Sequence, residues 1–255
     1  MNTGEVITIN KPIGETPLEA IEQARKQHGI SQSTKMAYAG RLDPMASGLL
    51  LVLVGDECKA RKAYEALDKE YEFEILLGIE TDTYDVLGVI EDRGHKDADL
   101  VKNTSLELVS SQLKKFIGAF EQEYPPYSSV RVSGHPLYWW ARKGRLEEVA
   151  IPAKKVSAYE TELMSSTKIS APDIVSTALE RIERVSGDFR QDEIIRGWKT
   201  FGERQARQEF PLHKARIVCS SGTYVRSICH HIGGQLGCGG LAYSIKRTRV
   251  GKYTL

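Results

Sequence analysis

Apolar and polar residues alternate in several short runs along the chain, separated by stretches whose apolar residues recur at helical spacing. Val6 to Ile9 alternates as a short strand. Lys11-Pro12-Ile13-Gly14 then turns the chain into a predicted helix from about Pro17 to His28, with Leu18, Ile21 and Ala24 at helical spacing. Leu49 to Val54 is an unbroken apolar run too short for a helix and reads as a buried strand. Cys58 to Leu67 reads as a helix. Tyr71, Phe73, Ile75 and Leu77 alternate with Glu72, Glu74 and Leu76, which predicts a strand with one buried face. Val86 to Ile90 is a candidate returning strand. Thr104 with Glu107 matches a capping box, opening a helix whose Leu106, Leu113, Phe116 and Ile117 share a face until Gly118 ends it.

Pro125-Pro126 forbids a helix, and beyond it a turn at Ser133-Gly134 precedes a short helix from Leu137 to Arg142. Val156 to Met164 is a strand candidate. Residues 172–202 carry two helical patterns, the first opened by Pro172 and closed by Gly187, and read as an inserted helical hairpin within 172–208 carrying no evident chemistry. Ala215 to Cys219 is a strand, Gly222 a turn, and Tyr224 to Leu236 a helix. Leu241 to Tyr253 reads as a pair of short strands split by Lys246-Arg247-Thr248-Arg249. Helices interleaved with strands of alternating polarity predict an α+β fold with a mixed or antiparallel sheet, and 255 residues suit one elaborated domain over 1–255.

Composition changes this picture little. Hydrophobic residues make up 41% and charged residues 27%, an ordinary globular balance. No apolar run approaches the roughly 20 residues needed to cross a bilayer, and the N-terminus has no signal-peptide anatomy, so no membrane partner and a cytoplasmic location are expected. The four cysteines form no CxxC pair, so free buried thiols are expected rather than a zinc site or disulfides.

The net charge of +1 is uninformative, but its distribution is uneven. Residues 211–255 hold no Asp or Glu, yet include Lys214, Arg216, Arg226, Lys246, Arg247, Arg249 and Lys252. Residues 125–145 are also free of acids, and there Arg131, Arg142, Lys143 and Arg145 interleave with Tyr127, Tyr138, Trp139 and Trp140. Basic side chains neutralise phosphates and aromatic planes stack on unpaired bases, so the two segments read as parts of one RNA-facing surface, or else as solvated faces over core tryptophans.

Asp43 lies at the centre of Gly40-Arg41-Leu42-Asp43-Pro44. Pro44 restricts it to extended backbone, and the following strand would anchor the turn. Such mounting suits a catalytic carboxylate and equally a carboxylate that caps its own turn. Lys11 reads as reaching a phosphate or as part of a turn. Glu80-Thr81-Asp82-Thr83-Tyr84-Asp85 is dense in oxygen donors but lacks the glycine and ligand spacing of a calcium loop, so a polar strand and turn is expected, with no metal.

Six segments in order resemble the TruB family of tRNA pseudouridine-55 synthases. They are Lys11-Pro12-x-Gly14; Gly40-x-Leu42-Asp43-Pro44-x-Ala46-x-Gly48-x-Leu50; Lys69-x-Tyr71; Pro126-Tyr127 with Leu137-Tyr138 and Ala141-Arg142-x-Gly144; Cys219-Ser220-x-Gly222-Thr223-Tyr224-Val225-Arg226; and Lys246-Arg247-Thr248-x-Val250-Gly251. The resemblance implies a pseudouridine synthase fold, with a mostly antiparallel central sheet, a cleft across its face and a thumb-like loop after Pro126. It implies Asp43 as the catalytic aspartate, Tyr71 as the aromatic packing on a flipped uracil, Arg226 as the ion-pair partner of Asp43, and Tyr224 as a second aromatic wall. Lys11, Arg41, Arg131, Arg142, Lys246 and Arg247 are the expected RNA contacts.

The implied reaction, isomerisation of the T-loop uridine of tRNA, requires no cofactor, no guide RNA and no partner beyond the tRNA T-arm, and a monomer is expected. Three departures from the family pattern stand out. Tyr38-Ala39-Gly40 replaces the usual His-Thr-Gly or His-Ser-Gly, with Tyr38 expected to substitute by stacking. Arg41 adds a charge that would meet RNA phosphate. The chain stops at Leu255, where many relatives continue into a small RNA-binding domain of the PUA type. The alternative reading is a catalytically weak tRNA-binding or tRNA-folding protein on the same scaffold, which the retained Asp43, Tyr71 and Arg226 disfavour. A hydrolase would need a second carboxylate near Asp43, and the sequence gives no sign of one.

Overall fold

The computed structural model of the chain describes residues 4–91 and 104–255. In chain order the strands are β1 (Glu5–Lys11), β2 (Met36–Ala39), β3 (Ala46–Val54), β4 (Lys69–Leu77), β5 (Gly118–Glu123), β6 (Arg131–Val132), β7 (His135–Pro136), β8 (Ala153–Ser170), β9 (Glu209–Cys219), β10 (Gly240–Val250) and β11 (Tyr253–Thr254). The helices are α1 (Pro17–Gln27), α2 (Arg61–Ala66), α3 (Leu106–Lys114), α4 (Leu137–Arg142), α5 (Ala171–Glu183), α6 (Gln191–Arg204) and α7 (Val225–Gln235).

Seven strands run across one sheet in the order β1-β3-β10-β4-β9-β8-β5, with β2 also on β3 and β11 on β10; β6 and β7 form a separate hairpin. Within the large sheet the β3–β10 pair is parallel and the others are antiparallel. The fold is α+β.

β3 is apolar from Leu49 to Val54, where both its faces are covered. Leu50 joins the main core, Leu49, Leu51 and Leu53 pack with Cys58 and Val250, and Val52 and Val54 pack with Ile7 and Ile21. β4 alternates as expected as far as Ile75, with Tyr71, Phe73 and Ile75 in the main core and Glu70 and Glu72 turned outward to meet Arg216 at 3.2 Å and Lys214 at 2.7 Å; Leu76, expected on the other face, is buried in that core too. Such partly exposed pairs add little stability. All four cysteines are free and buried.

Several expectations are corrected. Thr16 caps α1 in a capping box with Glu19, but the buried face is Ala20, Ile21 and Ala24, with Leu18 exposed. The helix expected over 58–67 is a 3-10 turn (Gly55–Ala60) followed by α2. Ser105, rather than Thr104, accepts from the Leu108 backbone N–H and caps α3, which buries Val109 and Leu113 and leaves Leu106 and Ile117 exposed. Residues 86–90 are turn rather than strand, with one isolated bridge from Ile90 to Thr81. β10 runs unbroken through the basic run, because that run alternates on the sheet, with Arg247 buried and Lys246 exposed.

The helical pair α5 and α6 contributes to the main core rather than decorating it. Ile174, Ala178, Ile182, Ile194 and Trp198 all belong to that core, and the Trp198 indole N–H donates to the Val86 carbonyl at 3.1 Å.

Helix α7 lies close against the start of β10, and Gly233 makes the approach possible: a Cβ there would sit 2.1 Å from the Gly240 backbone nitrogen. Gly233→Ala is expected to destabilise the fold by about 1–3 kcal/mol or more, because the obstructing atoms are backbone. Urea unfolding should show a lower midpoint; an unchanged midpoint would mean that helix and strand separate without cost.

Candidate active site

The loop from Gly40 to Met45 links β2 to β3. Gly40 takes φ +79°, and the loop backbone is tied down on several sides. The Ala46 N–H donates to the Asp43 carbonyl at 2.9 Å and the Gly14 N–H to the Pro44 carbonyl at 2.8 Å. Leu42 and Met45 are buried anchors on either side of Asp43. From below, the Arg247 guanidinium donates to the carbonyls of Leu49 at 2.7 Å, Arg41 at 3.0 Å and Gly40 at 3.4 Å. β3 can pass this close to Arg247 because residue 48 is glycine, at φ +102°; a Cβ there would stand 2.3 Å from the Arg247 carbonyl oxygen.

The Asp43 side chain stands 39% exposed on this loop, and the Arg226 guanidinium meets it at 2.9 Å while itself only 4% exposed. Arg226 sits in the first turn of α7, and Gln122 on β5 sets the backbone just before it: the Tyr224 N–H donates to Gln122 Oε1 at 2.7 Å and Gln122 Nε2 donates to the Tyr224 carbonyl at 3.1 Å. Arg226 also donates to the Thr83 carbonyl at 2.6 Å and lies 3.4 Å from the Asp85 carboxylate, a charge contact rather than an aligned hydrogen bond. Burial alone would lower the Arg226 pKa, but Asp43 and Asp85 outweigh it and raise it. One buried cation thus holds an exposed carboxylate on one side and a buried one on the other.

Tyr71 is buried at the floor on β4, directly opposite Arg247 of β10, and burial pushes its phenol pKa up. Tyr224 is half-buried beside the pair and packs edge-on against Tyr124 at 5.7 Å; burial and the Asp43 charge push its pKa up to about 12. Tyr38 carries the Arg61 guanidinium over its ring at 5.1 Å and packs against the core, so part of its surface is already occupied. Arg41 and Lys246 are exposed. Arg131 is exposed and donates to the Gly134 carbonyl at 2.5 Å, closing its own hairpin. Arg142 pairs with Asp188 at 2.5 Å, linking α4 to the loop between α5 and α6.

Two expected RNA contacts do not fit the geometry. Lys11 and Arg247 are each 1% exposed. Lys11 donates to the carbonyls of Pro12 and Glu15, both at 2.8 Å, and burial lowers its pKa to about 8 against the pull of Glu15 and Asp43. Lys69 behaves alike, donating to the Glu65 carbonyl at 2.5 Å, with its pKa lowered to about 8 by burial and by Arg247. Both lysines, like Arg247, are buried and spend their donors on backbone carbonyls, but only Arg247 bonds the loop itself.

Sequence reading missed Asp85, Thr83, Gln122 and Arg190. Two carboxylates of the 80–85 cluster face arginines: Asp85 meets Arg226, and Asp82 takes both arms of Arg190 at 2.6 and 3.2 Å. Arg190 in turn lies over the Tyr127 ring at 4.4 Å, so the hairpin read as carrying no chemistry reaches this turn. Among the described residues, no group of three His, Cys, Asp or Glu could hold a metal ion, and no helix is long and apolar enough to cross a membrane.

Burial pushes the Asp85 carboxyl pKa up from 3.8 to about 6, opposed by Arg226 and the Thr83 hydroxyl. Between those values the native state holds a proton that the unfolded chain has released, so the stability linked to this group falls as pH rises through that window. Asp85→Asn removes the titration. In urea unfolding from about pH 4 to pH 7, wild type should lose stability relative to the variant as pH rises; a constant difference would show that Asp85 titrates normally.

The sequence profile of the TruB family pseudouridylate synthase N-terminal domain matches residues 26–179. The chain is 30% identical to a protein named tRNA pseudouridine synthase B of Syntrophus aciditrophicus, covering 98% of this chain and 63% of the relative. It is 31% identical to the protein of that name from Francisella philomiragia, covering 100% and 68%, and 30% identical to that of Bordetella avium, covering 98% and 82%. Its length is thus about two thirds to four fifths of these relatives. Among solved structures, a Cbf5-Nop10-Gar1 complex matches with a TM-score of 0.58 at 20% identity, over 98% of this chain and 49% of the other, which is a likeness of fold. Profile, relatives and fold agree: the chain belongs to the TruB family of pseudouridylate synthases.

Proposed function

We propose that this protein isomerises the T-loop uridine of tRNA, position 55, to pseudouridine, with Asp43 as the reacting carboxylate. The observation that carries this reading is the half-exposed Asp43 held at 2.9 Å by a buried arginine, on a loop whose backbone is tied on several sides. The names of the relatives support it: they are tRNA pseudouridine synthases B.

In the proposed reaction the bond from uracil N1 to ribose C1′ breaks, and its electron pair leaves with the base. Asp43 covers C1′, as a covalent nucleophile or as a charge beside a cationic sugar. The base turns, C5 bonds to C1′, the C5 proton is lost and N1 gains one. No electrons are exchanged with an outside group, so no cofactor is required. Arg226 holds the Asp43 carboxylate in place at 2.9 Å. The base must leave its stack to reach the loop, and Tyr71 and Tyr224 are the rings placed to pack against it.

Exposed Arg41, Arg131 and Lys246, together with Tyr138 on α4, would contact the T-arm. We infer a single catalytic domain, with the 172–208 hairpin as an elaboration, acting as a monomer in the cytoplasm without a guide RNA. Carbodiimide labelling followed by reverse transcription reads the product. A stop in the T-loop of a tRNA transcript is expected with wild type and not with Asp43→Asn, while the variant still binds the transcript. A stop with both proteins would remove Asp43 from the chemistry, and tight binding with no stop from either would favour a tRNA-folding role.

A further inference from the structure

The turn that holds Arg226 contains a strained residue. Tyr84 adopts φ +64°, a left-handed conformation that a bulky side chain takes only where its surroundings enforce it. Its ring lies flat on the imidazole of His230, with centroids 3.8 Å apart and planes 8° from parallel. His230 is four residues after Arg226 on α7, so both side chains leave the same face of that helix, one turn apart.

Helix α7 therefore grips the 81–85 turn at two points. At the first, Arg226 takes the Thr83 carbonyl at 2.6 Å and faces Asp85 at 3.4 Å. At the second, His230 takes the Tyr84 ring. The residue between these contacts cannot drift, because the Tyr84 carbonyl accepts from the Ala242 N–H at 2.9 Å and the Tyr84 N–H donates to the Thr81 carbonyl at 3.1 Å. Asp85 is fixed in turn by the Thr83 hydroxyl at 2.9 Å and the Leu87 N–H at 2.8 Å. The stack is the one link in this set that depends on two side chains neither charged by necessity nor part of the Arg226 cluster. It also offsets the conformation that glycine would adopt without strain.

We propose that Tyr84 and His230 are positioning residues whose ring stack seats the 81–85 turn on α7, so that Thr83 and Asp85 hold Arg226 where it reaches Asp43. The proposal rests on the uridine-isomerising reading above for its effect on rate, but its geometric content can be measured without activity.

Three variants test it: His230→Ala removes the stack, His230→Phe keeps a ring there, and Tyr84→Gly removes the stack while relieving the backbone strain, which guards against a variant that merely unfolds. With a tRNA transcript, His230→Ala and Tyr84→Gly are expected to lower kcat about tenfold to a hundredfold, the scale of a small misplacement of a catalytic group, with KM unchanged. His230→Phe is expected to recover most of that loss.

In parallel, the Arg226 Nε–H resonance, assigned by its disappearance in Arg226→Lys, is expected to broaden or exchange rapidly with water in His230→Ala and Tyr84→Gly and to persist in His230→Phe. An unchanged resonance in both stack-removing variants would overturn the proposal whatever the activity. So would a His230→Phe protein no better than His230→Ala, which would assign the role to the imidazole nitrogens. If wild type itself formed no pseudouridine, the functional reading would fail, and the resonance would still decide the positioning claim.

Discussion

The arrangement depends on one buried guanidinium. Arg226 meets Asp43 at 2.9 Å, the Thr83 carbonyl at 2.6 Å and Asp85 at 3.4 Å, on parts of the chain about 140 to 180 residues away from it in sequence. A cation withdrawn this far from water is tolerated only beside groups of opposite charge, and the Arg226 Nε–H has the Asp85 carboxylate near it at 3.4 Å without an aligned hydrogen bond. Every neighbouring element can be read as serving that requirement. Gln122 fixes the backbone that launches the arginine, the 81–85 turn supplies the buried carboxylate, and the Gly40–Met45 loop offers the exposed one. Two carboxylates share one cation, and burial pushes the pKa of Asp85, the more deeply buried, up to about 6. Asp43, open to solvent, stands beside the same fixed positive group at 2.9 Å.

A second tier of buried cations supports this arrangement differently. Lys11, Lys69 and Arg247 spend their donors on backbone carbonyls around the Asp43 loop and its neighbouring turns. Carbonyl dipoles satisfy them without introducing anions that would compete with Asp43 for Arg226. Of the expected RNA contacts, Arg41, Arg131 and Lys246 stay on the surface, where a polyanion can reach them. A net charge of +1 thus conceals buried cations bonded to backbone carbonyls beside others that face outward.

What could be read from the chain followed from local periodicity. The alternation over Tyr71 to Leu77 defined β4 and its buried face, the Ser133-Gly134 turn and short helix over Leu137 to Arg142 lie where expected, and Pro44 with its flanking glycines marked the Asp43 loop. What could not be read was depth. Lys11 and Arg247 carry the same charge as Arg41 and Lys246, and only the tertiary packing of β1 and β10 buries them. Asp85 and Arg190 were hidden for a related reason: a polar cluster such as 80–85 looks solvated until the distant arginines that face it are known. Leu18 misled in the opposite direction, since helical spacing alone does not say which apolar residue lies at the edge of the buried stripe.

The most direct test is the single-turnover rate of pseudouridine formation by Arg226→Lys on a T-arm RNA, measured beside the RNA dissociation constant. A lysine keeps the charge but cannot reach Asp43, Thr83 and Asp85 together, because it offers a single ammonium instead of a planar fork. If the buried guanidinium sets Asp43, the rate should fall by about a hundredfold or more, a cost typical of lost positioning and electrostatic preorganisation, while affinity stays within a few-fold. A rate close to wild type, or a loss of rate fully matched by lost binding, would contradict that role.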